Sequence, residues 1–308
     1  EEVLRTNEKK NEVCGVKIFM GSSTGNLLVD NPLVLEKIFE GSELLIATHC
    51  EEEGIIKKNK TALEAVKPIL EPSDHPIIRN EEACFESSFK AIQLAKKFNS
   101  RLHILHISTA KELQLFSNML PLADKRITSE VCVHHLHFTA DDYATKGNLI
   151  KCNPAIKAPE NKAALWEGLL NDQLDVIATD HAPHPTESKE CEWPAASFGM
   201  LGLETALSIV VQTMISSKLM SWSDLVDRFS IAPAKIAGYP DHGNPLAIGN
   251  PANITVFNPN KSWTVNKDLA MSKSRNTPFH GMELPGVVTD VFYNGKQVLR
   301  DTKIVSVS

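Results

Sequence analysis

The sequence has no Cys-x-x-Cys pair. Its six cysteines, Cys14, Cys50, Cys84, Cys132, Cys152 and Cys191, are scattered along 308 residues. That spacing argues against both a disulfide framework and a thiolate zinc site, and favours reduced, structural thiols. No apolar run approaches the ~18 residues that a membrane helix needs, and the opening Glu-Glu-Val-Leu-Arg-Thr-Asn has no signal-peptide character. A surplus of positive charge is missing too: 32 Lys and Arg face 38 Asp and Glu, a formal net charge of −6. This balance argues against a nucleic-acid or anionic-membrane surface. The longest basic cluster, Lys57-Lys58-Asn59-Lys60, reads as a solvated loop. The 42% of hydrophobic residues is ample for a sizeable core. The expectation is a soluble, cytoplasmic enzyme acting on a small molecule.

The most informative stretch is Thr179-Asp180-His181-Ala182-Pro183-His184, which follows the apolar run Val176-Ile177-Ala178. Acid and imidazole side chains at the carboxyl end of a strand are where catalysis sits in a (β/α)8 barrel. Pro183 and Pro185 stiffen the loop around His184. Three further runs share this grammar. Gly15 to Gly21 carries Lys17 inside an apolar strand pattern, Leu44 to His49 ends on His49, and Arg101 to Ser108 carries His106 near its end. Four strand-like runs therefore deliver Lys, His, His and Asp in that order. A lysine in a buried strand is costly unless it is paired, neutralised or metal-bound. Imidazole and carboxylate are good zinc ligands.

Between the strands lie helical patterns. Asn80 suits an N-cap ahead of Glu81 and Glu82, with Phe85, Phe89 and Ile92 expected on one face. Thr109 to Glu112 has the capping-box spelling, and Pro159 suits the first turn of a helix carrying Leu165, Leu169 and Leu170. A helix from about Ser221 should end near Gly238. Strands alternating with helices predict a parallel sheet. After Gly243 the texture changes to short β runs with an Asn294-Gly295 hairpin turn. The expected division is residues 1–242 and 243–308. His75, His103, His181, His242 and His280 are expected to pack or hydrogen-bond without a role at the site. The glycine-rich 21–25 segment lacks the context of a phosphate loop.

Lys17, His49, His106 and Asp180 in this order resemble the binuclear amidohydrolase superfamily, within the cyclic amidohydrolases. Closer markers are similar to the dihydroorotase family: His134-His135-Leu136-His137-Phe138-Thr139, Asn153-Pro154-Ala155-Ile156-Lys157, Ala178 to His184, and Phe198 to Leu207. The resemblance runs from about Val13 to the C-terminus. It implies an α/β fold, a (β/α)8 TIM-like metallo-dependent hydrolase barrel of which this chain carries roughly strands four to eight, plus part of a small β-sandwich. It implies two zinc ions (Zn2+) bridged by a carboxylated Lys17, with His49 and His106 on the second metal. Asp180 would be a metal ligand and the catalytic base. Asn153, His184, Phe198 and Gly199 would contact the substrate. The implied reaction is reversible hydrolysis of the dihydroorotate ring amide to N-carbamoyl-aspartate in pyrimidine biosynthesis. Implied partners are a second copy of the chain in a homodimer and aspartate transcarbamoylase.

One departure stands against these agreements. The family's His-x-His metal pair lies upstream of the bridging lysine, and Glu1 to Val16 contains no histidine. His135-Leu136-His137 has the spelling but the wrong place, and reads as a sixth-strand marker near the site or buried. The sequence therefore has the character of the C-terminal two-thirds of such an enzyme, with roughly three βα units expected before Lys17. Two alternatives follow: a neighbouring cyclic amidohydrolase acting on hydantoins, dihydropyrimidines or allantoin, or a non-catalytic relative that supports a partner. The first is disfavoured because those relatives generally lack a histidine at the position of His184.

Overall fold

The runs that carry Lys17, His49, His106 and Asp180 become neighbouring strands of one sheet. In the computed structural model, which describes residues 2–21, 27–215, 217–239, 242–243 and 246–305, five parallel strands stand side by side in sequence order. They are β1 (Gly15–Phe19), β2 (Leu45–His49), β3 (Leu102–Ile104), β4 (Ile127–Cys132) and β5 (Val176–Ala178). Register pairs Lys17 with Ala47 and Phe19 with His49. All carboxyl ends therefore lie along one edge, and the residues just beyond them converge. Most of the 21–25 segment lies outside the described residues.

Helices fill the crossovers: α1 (Pro32–Gly41), then α2 (Glu53–Glu64), α3 (His75–Ile78) and α4 (Glu81–Phe98), then α5 (Ala110–Leu113), then α6 (Val133–His137), α7 (Tyr143–Lys146) and α8 (Pro159–Leu170). Asn80 caps α4 by accepting from the Ala83 amide at 3.1 Å, and Thr109 caps α5. The face of α4 against the sheet differs from the expected one. It is built of Ala83, Cys84, Ser87, Ser88, Ala91, Ile92 and Ala95. Small residues let the helix approach strands whose Ile46, Leu102 and Ile104 are fully buried. Phe85 and Phe89 stack on each other with centroids 6.0 Å apart on the outer side. On α8, Leu165 and Leu169 are buried and Leu170 is exposed.

Two more expectations change. Ile127–Cys132 is a strand that its sequence hardly announces, because Thr128, Ser129 and Glu130 occupy its middle. Lys17 is exposed rather than buried, since β1 ends the described sheet. With β4 in place, His134 to His137 form α6 directly after the fourth strand of the sheet. If Lys17 lies on barrel strand four, this marker belongs to the seventh strand, not the sixth.

The C-terminal residues form an antiparallel sheet of β6 (Ile254–Thr264), β7 (Glu283–Tyr293), β8 (Lys296–Arg300) and β9 (Lys303–Ile304). The segment between β6 and β7 returns to the parallel body. There Phe279 stacks on Phe138 at 5.2 Å, and Val265, Phe279 and Leu284 belong to the same apolar cluster as the parallel strands. The helical stretch after Ser221 ends at Gly238, whose φ is +75°. No helix among the described residues is long and apolar enough to cross a membrane.

Candidate functional site

An open cavity of about 190 Å³ lies over the carboxyl edge of the parallel sheet, lined by Lys17, Phe19, His49, His106, Asn153, Asp180, Ala182, His184, Phe198 and Gly199. Every residue expected at the site is on this lining. Lys17 reaches in from β1, with its ammonium 4.6 Å from the Phe19 ring centre. His49 is the last residue of β2. His106 and Asp180 each lie two residues beyond their strands, and both have left-handed backbones, with φ of 40° and 39°. A side chain with a Cβ adopts that region only at a cost, and such strain concentrates at functional sites.

The imidazoles of His49 and His106 meet at their nitrogens, with Nδ1 of His49 3.0 Å from Nε2 of His106. Behind them, His49 Nε2 lies 3.0 Å from Glu51 Oε2, and Arg79 donates to the same oxygen at 2.6 Å. A carboxylate oxygen accepts, so Nε2 of His49 carries a hydrogen, and Nδ1 is the nitrogen turned toward His106. Burial alone would raise the Glu51 pKa. The Arg79 guanidinium and the His49 hydrogen bond outweigh it and hold this carboxyl well below the usual range. Burial, and His49 beside it, hold His106 well below the usual imidazole range, so it stays neutral.

These groups fit a zinc ion. Two imidazole nitrogens 3.0 Å apart can both lie ~2.0–2.1 Å from one metal. The Glu51 contact is the carboxylate–histidine arrangement that fixes tautomer and ring orientation in metal sites. No carboxylate among the described residues lies within ion-pair distance of the Lys17 ammonium. A second group could also hold an ion: Cys132, His134 and His135, all buried, bring one ligand atom each to within 4.8 Å of one another. Burial pushes the Cys132 thiol well up, and the group does not line the cavity.

The wall of the cavity that carries Ala182, His184 and Gly199 is held by loops locked to one another. Ala182 N donates to Met200 O at 3.0 Å, and Gly199 N to Lys151 O at 2.9 Å. The buried Lys189 ammonium donates to the carbonyls of Lys151, Ser197 and Gly199 at 3.1, 3.0 and 2.9 Å. Ser274 Oγ and Asn276 Nδ2 hold the His184 carbonyl at 2.6 and 2.8 Å. At Gly199, with φ of +136°, a Cβ would stand 2.7 Å from the Ala182 Cβ.

His103 packs as expected, against Thr128 at 2.8 Å and Glu130 at 3.1 Å. His181 turns away from the cavity and accepts from the amides of Gly202 and Leu203 at 3.3 and 3.2 Å. His75 does not behave as expected: it is buried and contacts Asn153. Sequence reasoning also passed over Phe19, Glu51, Arg79, Glu130 and Ala182. Only Glu51 carried a signal, lying two residues after His49.

The chain is a member of the Amidohydrolase family, whose profile matches residues 42–298. Among curated proteins it is 37% identical to the dihydroorotase of Streptomyces coelicolor over 87% of this chain and 61% of that protein. It is 38% identical to the dihydroorotase of Mycobacterium leprae over 94% and 66%. The chain thus spans slightly less than two thirds of the length of these relatives. Among solved structures it is similar to an L-hydantoinase (dihydropyrimidinase) from Arthrobacter aurescens, with a TM-score of 0.88 and 25% identity over 97% of this chain and 68% of that one. A D-hydantoinase (dihydropyrimidinase) from Thermus sp. gives 0.85 at 21% identity over 98% and 68%. The fold is α/β, of the TIM-barrel type.

Proposed function

We propose that the protein is a metal-dependent dihydroorotase, hydrolysing the ring amide of dihydroorotate to N-carbamoyl-aspartate and running the reverse closure in pyrimidine biosynthesis. The observation that carries this reading is the one cavity into which Lys17, His49, His106, Asp180, Asn153, His184, Phe198 and Gly199 all face. The dihydroorotase names of the curated relatives support it.

Zinc would be held by His49, His106, Asp180 and a carboxylated Lys17. When bound, it makes water available as a nucleophile near neutral pH and draws charge from a carbonyl oxygen. The chain's own groups do the rest. Asp180 takes the proton of the attacking water and returns it to the ring nitrogen as the carbon–nitrogen bond breaks. His184, anchored through its carbonyl, meets the substrate carboxylate. The main chain at Phe198-Gly199 bounds the ring, and Phe19 keeps an apolar wall beside Lys17.

A hydantoinase or dihydropyrimidinase activity is the second reading, favoured by the structural likeness to the Arthrobacter protein. Measuring kcat/KM of the zinc-loaded protein for dihydroorotate and dihydrouracil separates the two. Dihydroorotate is the expected substrate. Preference for dihydrouracil overturns the proposal, and metal-dependent turnover of neither would leave a non-catalytic relative.

A further inference from the structure

Asn153 is buried on the cavity lining, yet its Nδ2 has no hydrogen-bond partner among the described residues. Its Oδ1 has one: His75 Nε2 lies 3.1 Å from it and 2.9 Å from the Cys152 carbonyl oxygen. A carbonyl oxygen can only accept, so Nε2 of His75 carries the hydrogen and shares it between these two oxygens. The opposite orientation of the amide would set two donors face to face. Only one orientation of Asn153 is therefore allowed, and it leaves the NH2 group of this lining residue as a buried donor with no partner among the described residues. The His75 ring is held in turn, edge-on to Trp193 at 5.7 Å and to Tyr143 at 6.4 Å.

We propose that His75 is a positioning residue that fixes the Asn153 amide, so that the site offers the substrate an N–H donor and selects an oxygen acceptor, a ring carbonyl or carboxylate, at that point. This rests on the cyclic-amide reading of the cavity and narrows it, because a substrate that turns a ring N–H to Asn153 is rejected. His75 opens α3, and Arg79, which braces Glu51 behind His49, follows that helix as its C-cap. One short segment thus supports both the metal side and the substrate side of the cavity.

The test compares variants of the full-length, zinc-loaded protein. Glutamine places its amide nitrogen near the position of Nε2, whereas asparagine stops near Nδ1. His75→Asn should raise KM about tenfold or more with zinc content unchanged, the scale of one buried hydrogen bond lost. His75→Gln should restore most of the affinity. Adding Asn153→Ala to His75→Asn should cost little more, since both act on one donor. Asn153→Asp keeps the Oδ1 contact with His75 and turns an acceptor to the cavity, so it should raise KM at least as much even if the His75 variants fold poorly. Losses of His75→Asn and Asn153→Ala that multiply overturn the proposal. So does an Asn153→Asp protein with unchanged KM. A wild-type protein that prefers dihydrouracil overturns the substrate assignment alone. The same cycle is then read with dihydrouracil, whose ring carbonyl supplies the acceptor.

Discussion

At the scale of single residues, Asp180 and Glu51 make separable predictions. Asn tolerates left-handed φ nearly as well as Asp, so Asp180→Asn should leave the folded state intact while removing nearly all turnover. Circular dichroism with steady-state kinetics checks this, and substantial residual activity would rule out Asp180 as the base. Glu51→Gln keeps the shape but removes the charge that holds the His49 proton. Metal affinity should fall roughly 10- to 100-fold, as for other such carboxylates, measured by zinc retention against a chelator. Unchanged retention would mean that Glu51 only pairs with Arg79. The four residues proposed to carry the chemistry were legible because each sits in or just after an apolar strand run and in a family order. Arg79 was not, because it meets Glu51 across 28 residues of chain, and no local pattern records that pairing.

At the scale of elements, the loops that close the cavity depend on close backbone approach. Gly199→Ala would press a methyl against Ala182 and leave it 3.1 Å from the His184 ring. It should lower kcat/KM roughly 10- to 100-fold by displacing these groups, with zinc content unchanged. Wild-type kinetics in this variant would show that the loops adapt. Strand β4 shows why some elements escape a reading by pattern. Its polar middle, buried at Thr128 and Ser129, is satisfied: Thr128 and Glu130 hold His103, Glu130 also accepts from the His106 amide at 3.3 Å, and the Ser129 amide donates to Asp175. Hydrophobic alternation registers burial only where it is apolar. In α4 the same blindness concerned size, since Ala, Ser and Cys make the buried face and the phenyl rings do not.

At the scale of the molecule, buried neutral imidazole governs the response to acid. Burial, with Arg79 adding to it, pulls His75 down to about 3, and burial pulls His134 down to about 4. Burial with neighbouring His49 and His134 holds His106 and His135 well below the ordinary range. Each folded-state value lies beneath that of the unfolded chain, near 6.5. Below that pH the unfolded chain binds more protons, so the histidine contribution to stability is complete above about pH 6.5 and declines as pH falls toward 3, by about 1.4 kcal/mol per pH unit per histidine. The urea midpoint should be clearly lower at about pH 5.5 than at about pH 7. Equal midpoints at pH 7 and 5.5 would refute this. The parallel architecture itself was legible, because strand and helix patterns alternate and each crossover joins adjacent strands.

The left-handed backbone at His106 and Asp180 bears on how the chain can change. Glycine would release up to about 1–2 kcal/mol of conformational cost at either position, partly offset by the greater freedom it gains in the unfolded chain. A laboratory lineage selected for heat resistance alone would meet an incentive to discard its chemistry at these two positions. Libraries evolved for robustness should therefore be sorted for turnover in every round, or glycine at 106 and 180 will rise among the survivors.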